Sequence, residues 1–464
     1  MIGSEAVTRQ VVDLIAGVRF DLLSPETVAV VQNVLVDTLG VIVAGIDEPL
    51  GVCRIICDHI EQMGGNSQAT VFGTDVRTSV VQAAFANGIA AHALDFDSTF
   101  FPLTHPSSPT IPAILAVAEW KGLPGTKVIE AIAVAFELQG RMRLAAHGWS
   151  AGQGFHKPGV VGTLGAAAGV AKLLELPSRE FGMALGLAGS RAGALAVNTG
   201  TMTKSSHAGH AARMGVECAL LAQAGWTATE DVFGEKGILD TFVGTDVEYS
   251  ALTENFGDPF YMVSPGVGFK KYPCNYFTHR VIDAALHLRA EMQIEPDEIE
   301  QVIVTFPRFD YVNRPAPRSG LDAKFSVQYT AAIALLDGVV GVDSFSQPRR
   351  DAVDVASLLP RVSLVMDDAI PSDFMKMWCD VEIRMRGGRA QSKTMKELTG
   401  WIGSPLPREA LISKFRSCVS GRISAASADA VLLFIENLSL EEDVSVLASL
   451  LRTGNQTNVD NANA

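Results

Sequence analysis

Apolar residues recur at helical spacing through most of positions 5 to 265, and polar or Gly-rich joints such as Lys121-Gly-Leu-Pro-Gly125 separate the runs. The pattern predicts helices over 27–45, 79–92, 126–141, 159–176 and 207–225. Ser24-Pro25 supplies a cap and a first-turn proline for the earliest of these, and Gly45 marks its end. Another helix is expected after Pro109, over Thr110 to Ala118, with Ser107 or Ser108 as its cap. No repeat of solenoid type is present, so this stretch reads as one large helical domain.

Near residue 268 the pattern changes. Positions 300–306, 361–366 and 379–385 carry β-branched or alternating residues and read as strands, the last meeting Gly387-Gly388 at a hairpin turn. Helical runs at 282–292 and 326–336 lie among them. The expected architecture is mainly α: a helical domain over 1–267 completed by 403–452, and a smaller α+β lid domain over 268–402. The Asn-rich tail 453–464 is expected to be disordered.

Composition narrows the classes of function. Of 464 residues, 48% are hydrophobic and 19% charged, enough to bury a large core. A net charge of −14 and a pI near 5.1 argue against nucleic acid or an acidic membrane as partner, though not against a small anion held by local cations. Lys204, Lys270, Lys271 and Arg314 could supply those cations by converging. The start, Met1-Ile-Gly-Ser-Glu-Ala, has no basic region before an apolar run, and the apolar helix near 27–45 carries Gln32, Asn33 and Asp37. A cytoplasmic protein with no membrane span is expected. The six cysteines form no CxxC pair, and no metal or iron–sulfur ligand set can be assembled from them.

The most informative chemistry lies in His92-Ala-Leu-Asp95-Phe-Asp97-Ser-Thr99 and Thr104-His105-Pro106-Ser-Ser-Pro109. Two carboxylates, several hydroxyls and a histidine precede a helix whose N-terminus offers free N–H groups to an anion. On spacing alone the same residues could be a capped helix start with solvated loop acids.

This segment resembles the HAxDFDDT…HPS motif of the MmgE/PrpD family. Gly154-Phe-His156-Lys-Pro-Gly, Gly200-Thr-Met-Thr-Lys204-Ser-Ser-His207, Lys270-Lys-Tyr-Pro-Cys-Asn275-Tyr-Phe-Thr-His279 and Tyr311-Val-Asn-Arg-Pro315 resemble further family segments in the expected order. The resemblance implies a homodimeric enzyme, without cofactor or metal, acting on a di- or tricarboxylate. It carries site roles onto Asp95, Thr99, His105, His156, Lys204 and Tyr311. Proton abstraction beside a carboxylate needs a positioned base and cations that stabilise the developing charge. His105 and His156 are the expected proton-transfer groups, because histidine titrates nearest neutral pH. Asp95 would orient a histidine, steady Lys204 or act as base, and Tyr311 would donate a hydrogen bond or a proton. Lys204 would hold a substrate carboxylate. Thr99, His207, Lys271, Asn275 and His279 complete the expected substrate-binding set, Tyr311 being expected to approach from the second domain.

The family's reactions include 2-methylcitrate dehydration, cis-aconitate decarboxylation and iminodisuccinate epimerisation. A hydro-lyase of the 2-methylcitrate dehydratase type is the leading expectation, with a decarboxylase, an epimerase and a non-catalytic relative as alternatives. Asn275 stands where the animal-type decarboxylases are expected to have histidine, and asparagine cannot shuttle a proton at neutral pH. Tyr311-Val-Asn-Arg-Pro, by contrast, is similar to the decarboxylase pattern.

Overall fold

The computed structural model describes residues 5–149, 154–244 and 246–453. The expected disorder at 454–464 falls outside the described residues. The chain divides into two compact units: one holds residues up to 93, 97–269 and those from 407 on, the other 94–96 and 270–406.

The first unit is helical. It contains α1 (Glu5–Gly17), α2 (Pro25–Gly45), α3 (Val52–Met63), α4 (Val80–Ala93), α5 (Ser107–Lys121), α6 (Gly125–Ala145), α7 (Lys157–Leu173), α8 (Ser178–Arg191), α9 (Thr203–Gln223) and α10 (Ile238–Val243). A two-stranded ribbon, β1 (Ala69–Thr70) with β2 (Arg77–Thr78), is its small sheet. Ser24 Oγ accepts the Thr27 N–H and Pro25 opens α2, as the sequence predicts. Gly45 ends α2 for a different reason: a Cβ there would lie 2.1 Å from the Ala90 carbonyl oxygen of α4. Close approach, not a left-handed cap, requires the glycine.

By length and composition α2 could cross a membrane, yet 72% of its apolar window is buried within this unit. Its Asp37 meets Lys414 Nζ at 2.7 Å. That is how a core helix satisfies a buried carboxylate.

Helix α9 packs against α4, α5, α7 and α8, and α7 against α6. The α4–α9 crossing is set by two glycines. A Cβ on Gly88 would lie 2.8 Å from Gly209 Cα, and one on Gly209 would lie 2.6 Å from the Phe85 carbonyl oxygen. Backbone contact here fixes the end of α4 against the start of α9. Helix α5 begins at Ser107, three residues earlier than the periodicity predicts, with Pro106 as its flanking residue. Ser107 and Ser108 therefore lie buried inside the first turn and do not cap it. Glu119, near the end of α5, accepts the Thr70 N–H, the Thr70 hydroxyl and Arg77, anchoring the ribbon.

The second unit is α+β. It contains α11 (Tyr276–Met292), β3 (Ile299–Phe306), α12 (Gly320–Ala323), α13 (Val327–Asp337), α14 (Gln347–Arg350), α15 (Val353–Leu358), β4 (Val362–Met366), β5 (Cys379–Met385) and β6 (Ala390–Met395). The sheet order is β4-β3-β5-β6, with β3 parallel to β4 and the other pairs antiparallel. Alternate residues of β3 and β5 are buried, as period-two patterning requires. Gly388, at φ +81°, closes the β5–β6 turn. Helix α11 covers β5 and β6, and α13 packs beside α11. The chain then returns to the first unit through α16 (Arg408–Val419), α17 (Ala425–Glu436) and α18 (Ser445–Leu450), α16 lying along α2.

Candidate active site

In the helical unit, side chains from three sequence-distant stretches converge. His92 comes from the last turn of α4, and Asp97 and His105 from the loop that follows. His156 is the residue flanking the start of α7, and Lys204 and His207 lie in the first turns of α9. The beginnings of α5, α7 and α9 thus contribute to one cluster. Helix N-termini carry free N–H groups and partial positive charge, which suits an anion.

The rings are close. His92 and His105 meet edge to face at 4.8 Å between centroids, and His92 and His156 lie 5.4 Å apart. His156 Nδ1 and His207 Nδ1 are 3.1 Å apart, so one ring donates to the other and their tautomers are complementary. His92 Nδ1 donates to Asp97 Oδ2 at 2.9 Å, and His105 Nδ1 lies 3.2 Å from the same oxygen.

Burial decides the charges. It pushes His92 down to about 4 against the pull of Asp97, with Lys204 adding to the depression. His156 is held well below the usual histidine range by burial, then by His92, Lys204, His105 and His207. Burial, Lys204 and His210 bring His207 to about 4. Burial opposes ionisation of Asp97, but His105 and His92 outweigh it and keep that carboxyl well below the ordinary range. Around neutral pH the cluster therefore holds neutral imidazoles His92, His156 and His207 beside an ionised Asp97. Neutral imidazoles can accept protons.

Thr99 lies in the loop after α4 and Ser108 in the first turn of α5. Thr99 is buried, and its backbone pairs with Gly268 in both directions at 2.9 Å. Its Oγ1 and the buried Ser108 Oγ have no hydrogen-bond partner among the described residues. His92, Asp97 and His105 also offer three donor atoms within 4.8 Å of one another, the combination a divalent ion could use. Asp97 Oδ2 is already committed to the His92 N–H, which makes the set a hydrogen-bonded cluster first.

The other expected residues lie in the second unit. Asp95 is buried. Its backbone is left-handed, φ +53°, a conformation Asp tolerates better than most residues. Lys270 Nζ reaches its carboxylate at 2.9 Å and its carbonyl oxygen at 2.7 Å, while Lys324 Nζ donates to the Leu94 carbonyl at 2.8 Å. Two buried lysines thus clamp residues 94 and 95. Lys271 is exposed and paired with Asp283 at 2.7 Å, whereas its neighbour Lys270 is the buried cation. Asn275 caps α11, its Oδ1 accepting the Phe277 N–H at 3.0 Å, so its side-chain carbonyl is used for the fold. His279 is buried between Tyr272 and Tyr276, with Nε2 3.3 Å from the Cys274 carbonyl. Tyr311 is 39% exposed and packs on Phe309 and Phe325. Arg314 is committed to Asp322.

The sequence singles out Asp95 and gives neither Asp97 nor His92 a role of its own. The signal that could have found the pair is the five-residue step from His92 at a helix end to Asp97 in the loop.

A helical unit followed by an α+β unit fits the two domains of the MmgE/PrpD proteins. The chain belongs to this family: the MmgE/PrpD N-terminal domain matches residues 9–250 and the C-terminal domain residues 272–440. Among its relatives is a cis-aconitate decarboxylase of Homo sapiens, 34% identical over 467 residues that cover 97% of this chain and 95% of that protein. The Mus musculus cis-aconitate decarboxylase is 32% identical over 97% and 94%. A 2-methylcitrate dehydratase of Salmonella typhimurium is 26% identical over 79% of each. These relatives are lyases, so at the level of the family the chain is a lyase.

Proposed function

We propose that this protein is a carboxy-lyase of the cis-aconitate decarboxylase type. The observation that carries the proposal is the gathering of His105, His156, His207 and Lys204 at three helix starts, in a chain similar over nearly its full length to proteins of that name. In the proposed reaction the bond from carbon to a carboxylate breaks, CO₂ leaves, and the electron pair remains on an unsaturated tricarboxylate skeleton. Lys204 and the helix N-termini stabilise the negative charge of substrate and intermediate. His105 or His156 delivers the proton that completes the product, replaced from solvent each turnover. Thr99 and Ser108 donate hydrogen bonds to a substrate carboxylate.

A second reading is a hydro-lyase of the 2-methylcitrate dehydratase type, favoured by Asn275. There one histidine removes a proton beside a carboxylate and another protonates the departing hydroxyl. No metal is required in either reading, and we expect turnover to survive dialysis against a strong chelator. Roles for Asp95, His279 and Tyr311 rest on the family resemblance, as does the homodimer.

Incubation with cis-aconitate, 2-methylcitrate, citrate and iminodisuccinate in D₂O, followed by NMR, tests the proposal. CO₂ loss from cis-aconitate with deuterium entering the product is the expected result. Dehydration of 2-methylcitrate without CO₂ loss would replace it with the second reading, and inertness toward all four would remove both.

A further inference from the structure

We propose that Asp97 is the positioning residue of His105, holding the ring with Nδ1–H toward the carboxylate and leaving Nε2 as the proton-transfer atom. This rests on the reading of His105 as a proton-transfer group. The Asp97 carboxylate has no solvent exposure. Its Oδ2 receives one aligned hydrogen bond, from His92 Nδ1 at 2.9 Å, and its Oδ1 has no hydrogen-bond partner among the described residues. An ionised carboxylate so buried, with one aligned donor, is under-satisfied and attracts any further donor strongly.

His92 cannot supply that donor. It is buried on the last turn of α4 and its Nδ1–H is already used. His105 can. Its Nδ1 lies 3.2 Å from Oδ2, close enough to pair but off the line of a well-formed hydrogen bond, and its side chain keeps 15% exposure. Catalytic hydrogen bonds are often misaligned before substrate binds and tighten afterwards. A small ring rotation completes the bond.

Two consequences follow. The neutral ring is fixed as the Nδ1–H tautomer, so the lone pair sits on Nε2. When Nε2 takes a proton, the positive ring lies against a buried anion, the arrangement by which an aspartate supports a histidine base in hydrolase triads. The Nδ1–H of His92 fills another lone pair of Asp97 and keeps the carboxylate from swinging away.

The test uses the full chain labelled with ¹⁵N-histidine and long-range ¹H–¹⁵N spectra near neutral pH without substrate. His92→Gln and His105→Gln assign the rings. In the unsubstituted protein both His92 and His105 are expected to carry a proton on Nδ1. Asp97→Asn should return His105 to a mixture with Nε2–H and lower kcat roughly 10²- to 10⁴-fold, the scale seen for the aspartate of a triad, with KM changing less than about threefold. A bare Nδ1 on His105 in the unsubstituted protein overturns the proposal, whether the proton sits on Nε2 or a metal ion has replaced it. Should Asp97→Asn fail to fold, that spectrum alone decides. Absence of turnover on every carboxylate would sink the lyase reading while leaving the tautomer result to stand by itself.

Discussion

Acid should weaken the helical unit through His92, and the size of the effect follows from where that ring lies. His92 is buried at the end of α4, and burial pushes it from 6.5 to about 4. In the unfolded chain it titrates near 6.5. Between these values the unfolded state binds more protons than the folded state, so stability rises with pH across that window. The stability is fully present above about 6.5 and is lost as the pH falls toward 4. At about 1.36 kcal/mol per pKa unit, the drop is worth about 3 kcal/mol. Depression of His156, His207 and Asp97 acts in the same direction, so a variant must isolate the His92 share. His92→Asn does so, because its amide can still donate to Asp97 but cannot titrate. Guanidinium-dependent hydrogen exchange of α4 and α9 peptides reads the local stability between about pH 7.5 and 4.5. The original protein should lose about 2–3 kcal/mol more than His92→Asn across that range. Equal pH dependence of the two proteins would refute the argument, since it would mean that His92 is protonated as readily folded as unfolded.

Other outcomes are open to measurement. Lys204→Ala should raise KM for tricarboxylates about ten- to hundredfold, the value of one charged contact at about 1.5–3 kcal/mol; unchanged KM would remove its anchoring role. Gly209→Ala forces a methyl to within 2.5 Å of Ile89 Cγ1 and 2.6 Å of the Phe85 carbonyl. It should cost about 1–3 kcal/mol, seen as a lower calorimetric Tm, and shift the start of α9 enough to lower kcat. Light scattering over a range of concentrations should give twice 49.3 kDa, and a monomer throughout would contradict the expected dimer.

Much of the helical architecture was legible because burial imposes a period on the sequence. Helix α2 begins at its Ser24 cap, and α13 at Ser326, whose hydroxyl accepts the Tyr329 N–H. Strands β3 and β5 show the alternation that a sheet with one buried face demands. The residue types of the site were legible too, since proton transfer beside a carboxylate calls for histidines and a cation. What the sequence could not tell was which of two near neighbours is used. Asp95 and Asp97 stand two apart on irregular backbone, where no period fixes direction. The left-handed turn at Asp95 sends its carboxylate to Lys270, and Asp97 is the acid that meets His92 and His105. Lys270 and Lys271 are adjacent, yet one is buried against Asp95 and the other faces solvent beside Asp283. The pairing of His156 with His207 joins residues 51 positions apart, and it exists because the starts of α7 and α9 are held side by side. Local sequence sets what each segment can become, whereas such long-range neighbours are chosen only when helices pack and buried charges find partners.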